Sequence, residues 1–67
     1  MNSTLYKTRR SRQWTQYELA HRAATTQATV SRLETGIYRG SRKTQLRIAG
    51  ALGLPIAAIF PPRYPDA

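Results

Sequence analysis

Apolar residues return along this chain at three- and four-residue intervals, in short runs separated by turn-forming residues and never in sustained alternation. That pattern predicts short amphipathic helices rather than strands. Ser3 or Thr4 can cap a first helix reaching about Arg10, with Leu5 and Arg9 on one face and Tyr6 beside them. Residues 11–13 read as a connection, and Trp14 reads as a core plug ahead of the next start. Thr15 and Glu18 make a T-x-x-E capping box for a helix over residues 16–23, with Leu19, Ala20 and Ala23 inward. Glu18 and Arg22 stand at i and i+4 and can pair on the surface. Residues 24–26 form a tight turn, and Thr25 or Thr26 caps a third helix over 27–34 with Val30 and Leu33 inward. Gly36 follows as the left-handed stop.

After a loop at 37–40, Ser41 caps a fourth helix to about Leu52, with Leu46, Ile48 or Ala49, and Leu52 in the core and Gly53 at its end. Gly50 inside this helix costs about 1 kcal/mol relative to alanine, a cost that close packing would justify. Leu54-Pro55 opens a last turn to about Phe60, and Pro61-Pro62 ends regular structure. The expectation is an all-α fold of five short helices, one domain over residues 1–60 and a short Pro-rich tail over 61–67.

At 67 residues and 40% hydrophobic, the chain lies near the lower limit for a free-standing core. Stability on the order of 3–5 kcal/mol is expected at this size. Without cysteine there is no disulfide and no thiolate metal site, and the single His21 cannot hold a metal alone. Two glutamates, one aspartate and one histidine leave no catalytic constellation, so an enzyme is excluded and no cofactor is expected. No apolar run approaches the roughly 20 residues that span a bilayer, and the N-terminus lacks the apolar core of a secretory signal. A cytoplasmic protein without a membrane partner or small-molecule ligand is expected.

Charge narrows the partner. Eleven Lys and Arg, nine of them Arg, stand against three acids, giving a net charge of +8 and a pI near 11.2. Such a balance points to a polyanion, with nucleic acid ahead of an anionic membrane or an acidic protein. The arginines are spread over several helix faces, which argues against a membrane-lying cationic helix.

The second and third segments, two short helices joined by a three-residue turn, read as a helix-turn-helix unit. Thr15-Gln16 with Glu18-Leu19-Ala20, Thr26-Gln27, Val30-Ser31-Arg32-Leu33-Glu34 with Gly36, then Ile48-Ala49 with Ala51-Leu52-Gly53 stand in an order and spacing specific to one family. From Leu5 to Phe60 the chain resembles the Cro and phage-repressor type helix-turn-helix domains, XRE-like, and most of all the small lambdoid repressors and Cro proteins. The resemblance implies a compact lambda-repressor-like domain of five helices that regulates transcription at double-stranded DNA. It departs from the family at Ala24, where many relatives hold glycine in the turn.

Helical geometry sorts the third helix independently. With Val30 and Leu33 inward, Gln27, Ala28, Ser31 and Arg32 lie on the opposite face. Gln pairs with adenine, Arg with guanine, and the Ala methyl packs on thymine, so this face suits base reading in the major groove. The alternative is an ordinary solvated face, which charge and resemblance disfavour. Thr15 and Thr26, which start the two helices, are phosphate candidates, and Thr29 leans toward a phosphate or a base. Gln16, at a helix N-terminus, suits a phosphate, or is simply a first-turn helix former. Arg10, Arg12, Tyr38, Arg39, Ser41, Arg42 and Lys43 supply further phosphate candidates, each with a solvated surface role as the equal alternative.

The resemblance implies two more contacts: a hydrogen bond between Gln16 and Gln27, and a partly buried ion pair between Arg9 and Glu34. Proteins of this kind bind as two-fold dimers on half-sites about one turn apart. A weak or DNA-dependent homodimer is expected through Pro55, Ile56, Ile59 and Phe60, although these residues can also cap the core. Two other readings stay open: an antitoxin or restriction-system controller, and a protein-interaction module using the same fold.

Overall fold

The computed structural model describes residues 1–62. Among them the chain forms five helices and no strand: α1 (Ser3–Ser11), α2 (Gln16–Arg22), α3 (Gln27–Thr35), α4 (Arg42–Leu52) and α5 (Ile56–Ile59). Most of the expected tail, residues 63–67, lies outside the described residues. None of the described helices is long and apolar enough to cross a membrane.

Three starts follow local cap chemistry. The hydroxyls of Thr15, Thr26 and Ser41 accept from the backbone N–H groups of Glu18, Thr29 and Thr44, each satisfying one free donor of a first turn. Two ends follow it as well, because Gly36 and Gly53 take the left-handed conformation at φ 87° and 69°. The cap of α1 is Asn2, not Ser3 or Thr4. Its Oδ1 accepts from Leu5 N at 3.0 Å, while its Nδ2 donates to Ile59 O at 2.8 Å and its backbone N–H to Glu34 O at 2.8 Å. One side chain thus starts α1 and ties it to α5, because the Asn amide carries its acceptor and its donor on two separate atoms, which a single Ser or Thr hydroxyl does not.

The core is filled from every helix. Leu5, Leu19, Val30, Leu33, Ile48, Leu52 and Ile59 are fully buried, and Ala20, Ala23, Ala49 and Phe60 complete the cluster. Ile59 and Phe60 therefore pack inside their own chain rather than on a dimer surface, which leaves Pro55 exposed and Ile56 half-buried at that end. Leu46 is 52% exposed instead of buried. The inward stripe of α4 is Ile48, Ala49 and Leu52 with half-buried Gln45, and Leu46 lies one helical step off it. Gly50 is exposed, and a Cβ there would meet nothing within 4 Å, so close packing does not explain it. Trp14 is half-buried at the edge of the core, with the guanidinium groups of Arg22 and Arg12 at 4.3 and 5.4 Å from its ring.

Two links use left-handed non-glycine residues, Gln13 at φ 60° and Ala24 at φ 56°. Ala24 lets the chain reverse between α2 and α3, with Thr25 N–H closing on Ala20 O at 2.9 Å. A turn that glycine would make without strain is made here by alanine, at a steric cost of about 1 kcal/mol or somewhat more.

Candidate nucleic-acid interface

Burial of Val30, Leu33 and Glu34 fixes the rotation of α3. Gln27, Ala28 and Arg32 are then exposed and Ser31 is half-buried. The Thr26 hydroxyl accepts from Thr29 N at 3.2 Å and donates to Thr29 Oγ1 at 3.0 Å. Thr26 and Thr29 are therefore bound to each other at the start of the helix. Among the described residues, no hydrogen bond from another element engages the side chains of Gln27, Ser31 or Arg32.

Beside this face stands a buried network. Arg9 approaches Glu34 through two contacts, Nε to Oε2 at 2.5 Å and Nη2 to Oε1 at 3.2 Å. A two-point guanidinium–carboxylate contact of this kind is directional as well as strong. Arg9 Nη1 also donates to Trp14 O at 2.6 Å. Gln16 is half-buried, and its Nε2 donates to Glu34 Oε1 at 3.0 Å. The hydrogen bond from Gln16 to Gln27 that the resemblance implied is absent among the described residues. The Glu34 carboxylate is the stronger acceptor, and it takes the amide instead. No buried side-chain polar atom of the described residues lacks a partner.

The loop and the start of α4 carry the second group of candidates. Arg42 and Lys43 are exposed in a first turn that contains no acid. Tyr38 is 42% exposed. Arg39 is half-buried, donating through Nη2 to Pro61 O at 2.7 Å while its carbonyl accepts from Gln45 Nε2 at 3.0 Å. Arg39 thus has a structural partner already. Arg12 has one too, donating to Leu52 O at 2.6 Å at the carbonyl end of α4, where a cation is favoured. Arg10 is exposed over the Tyr6 ring.

Positive charge dominates this surface. Among the described residues the acids are Glu18 and Glu34, and each meets an arginine, Arg22 at 2.8 Å and Arg9 at 2.5 Å. Lys7, Arg10, Arg32, Arg42, Lys43 and Arg47 make no ion pair with either. Two exposed residues had no role assigned from sequence. Tyr17, 68% exposed, follows Gln16 directly, and helical spacing already places it off the inward stripe of α2. Ile37, 82% exposed, opens the loop after Gly36, and no local signal marks it. Among the described residues no group of three metal-ligating side chains comes together.

A capped helix pair joined by a tight turn, with its second helix exposed along a polar edge in a basic surface, defines a helix-turn-helix protein. A helix-turn-helix family model matches residues 5–59, more than four-fifths of the 67, and the chain belongs to this XRE-type family. It is a regulator that binds double-stranded DNA, of a family that is regulatory rather than enzymatic. No curated protein and no solved structure matches the chain.

Proposed function

We propose that this protein is a phage-type repressor or Cro-like regulator that inserts α3 into the major groove of a pseudo-palindromic operator in the cytoplasm and represses by occluding polymerase. The observation that carries the reading is the outer edge of α3, where Gln27, Ala28 and Arg32 are exposed above buried Val30 and Leu33. Gln27 and Arg32 read adenine and guanine edges, Ala28 packs on a thymine methyl, and Ser31 takes either role. Arg10, Thr15, Gln16, Thr26, Thr29, Tyr38, Ser41, Arg42 and Lys43 position the domain on phosphates, with Arg39 contributing through whatever donors Pro61 leaves free.

One module of this size reads too few base pairs alone, so two copies act on half-sites about one helical turn apart. The dimer is weak or formed on DNA, with Pro55 and Ile56 as its remaining α5 contacts. Selection from a random double-stranded DNA pool at moderate salt tests the whole reading. Enrichment of a two-fold sequence is expected. Salt-sensitive retention without any enriched sequence would refute base reading and favour the antitoxin or protein-interaction alternatives.

A further inference from the structure

Thr15, the residue that starts α2, is flanked by two anchors that come from the same buried ion pair. Arg9 Nη1 holds the carbonyl of Trp14 at 2.6 Å, and Glu34 Oε1 holds the side-chain amide of Gln16 at 3.0 Å. Arg9 and Glu34 have side-chain exposures of 7% and 4%, so both anchors are shielded from water and held by two contacts between themselves. A long glutamine side chain at a helix start otherwise samples several rotamers, and a contact to DNA would have to order it. Here the ordering is done within the chain. The amide of Gln16 has two N–H groups and one oxygen. Glu34 engages one N–H, which leaves the second N–H and the oxygen for a partner.

We propose that Glu34 is a positioning residue for DNA binding: by fixing the Gln16 amide it pre-orders a contact at the start of α2, so that operator affinity depends on a carboxylate that never touches DNA. This rests on the reading of Gln16 as part of the DNA interface. It also gives the ion pair a role besides stability. An isolated Arg9–Glu34 pair would need only each other, whereas this one extends a third bond to a half-buried residue of the interface.

The test separates positioning from folding by using the behaviour of buried ion pairs. Replacing both partners by apolar side chains of similar volume is commonly neutral or stabilising, while removing one partner is not. Arg9→Met with Glu34→Met removes the acceptor of Gln16 in a protein that keeps its core. Against the most enriched duplex from the selection above, the double variant is expected to bind about tenfold more weakly, the size of coupling usual for residues in contact. Gln16→Ala is expected to lose a similar factor, and the triple variant no more than Gln16→Ala alone. Glu34→Gln keeps an acceptor for Gln16, and its folded fraction at low temperature is expected to recover most of the affinity. Wild-type binding by the Arg9→Met, Glu34→Met protein, or multiplying losses in the triple variant, would overturn the proposal.

A second measurement needs no variant. In the intact protein the Gln16 side-chain amide is expected to be as rigid as the backbone by nitrogen relaxation, unlike the exposed amides of Gln13 and Gln27. Equal mobility of all three would also overturn it. Failure of the base-reading proposal looks different: the wild type itself enriches no sequence, and the amide measurement still decides whether the anchor exists.

Discussion

Asn2 and Ile59, separated by 57 positions in sequence, are joined by a 2.8 Å hydrogen bond from the Asn2 amide to the Ile59 carbonyl. The same side chain caps α1 at Leu5. Asn2→Ala is expected to lower stability by about 1–3 kcal/mol, from a lost cap and a lost bond to α5. Asn2→Asp keeps the cap but sets a carboxylate against the Ile59 carbonyl, so it too is expected to lose stability. Thermal unfolding followed by circular dichroism measures both, and an unchanged midpoint for Asn2→Ala would contradict the bond's role.

Glu34→Ala leaves Arg9 buried without its counter-charge and Gln16 without its acceptor. A loss of about 3–5 kcal/mol is expected, comparable with the whole stability of a domain this small. Urea titration at low temperature reads it out. A loss under about 1 kcal/mol would show that the pair is dispensable to the fold.

Ala24→Gly relieves a left-handed alanine in an exposed turn. The strain relieved is about 1–2 kcal/mol, offset in part by the greater freedom of glycine in the unfolded chain, about 0.4–1 kcal/mol. A net gain of about 0.5–1 kcal/mol is expected, with DNA affinity unchanged. A denaturation midpoint at or below that of the wild type would place the cost of this turn elsewhere.

Arg22 lies 4.3 Å from the Trp14 ring and 2.8 Å from Glu18, with about half of its side chain exposed. Arg22→Ala removes both contacts. Exposed interactions of these two kinds together are expected to contribute about 1 kcal/mol. Trp14 is the single tryptophan, so its fluorescence reports the change directly, and emission is expected to shift to the red as the ring gains water. An unshifted spectrum with unchanged stability would show that the stack contributes nothing in solution.

The proposed division of labour at DNA gives opposite signatures for two groups of residues. Gln27→Ala and Arg32→Ala are expected to relax preference at single base pairs by about 1–3 kcal/mol and leave the salt dependence nearly intact where they touch only bases. Arg42→Ala and Lys43→Ala are expected to weaken all duplexes alike and to flatten the log–log salt slope by about 0.9 each, from about −5 if six phosphates are neutralised. Filter binding over a range of salt concentrations, with cognate and scrambled duplexes, separates them. The same response from both groups would remove the distinction between reading and positioning.

How much of this was legible in the sequence depended on the range of the physics involved. Thr15, Ser41, Gly36 and Gly53 could be assigned because a cap is settled within a few residues, whereas the cap of α3 was narrowed only to Thr25 or Thr26, of which the structure uses Thr26. Asn2 could not, since Ser3 and Thr4 are equally good local caps and the deciding bonds go to Ile59 and Glu34. Leu46 was expected in the core with Ile48 or Ala49, and only the packing of the other helices turns α4 so that Ile48 and Ala49 are both inward and Leu46 is not. Ile59 and Phe60 are apolar enough for either a core or an interface, and the core needed them. The orientation of α3 was readable from Val30 and Leu33. The partner of Gln16 was not, because three helices meet at Glu34 and no sequence period encodes a three-body contact.

Pairing of both described acids with arginines has a consequence for how the molecule finds its target. A protein with a negative pole is turned by the field of DNA and arrives with one side forward. This surface offers little to be repelled by a duplex, so attraction acts in many orientations and captures the protein before it is aligned. On the proposed reading, orientation is then acquired after capture, while the domain slides or hops along the backbone, and arrest falls to short-range fit along one edge of the nine-residue α3. If such a molecule has the proposed operator, competing non-cognate DNA and ionic strength govern the time spent searching as strongly as that operator governs the time spent bound.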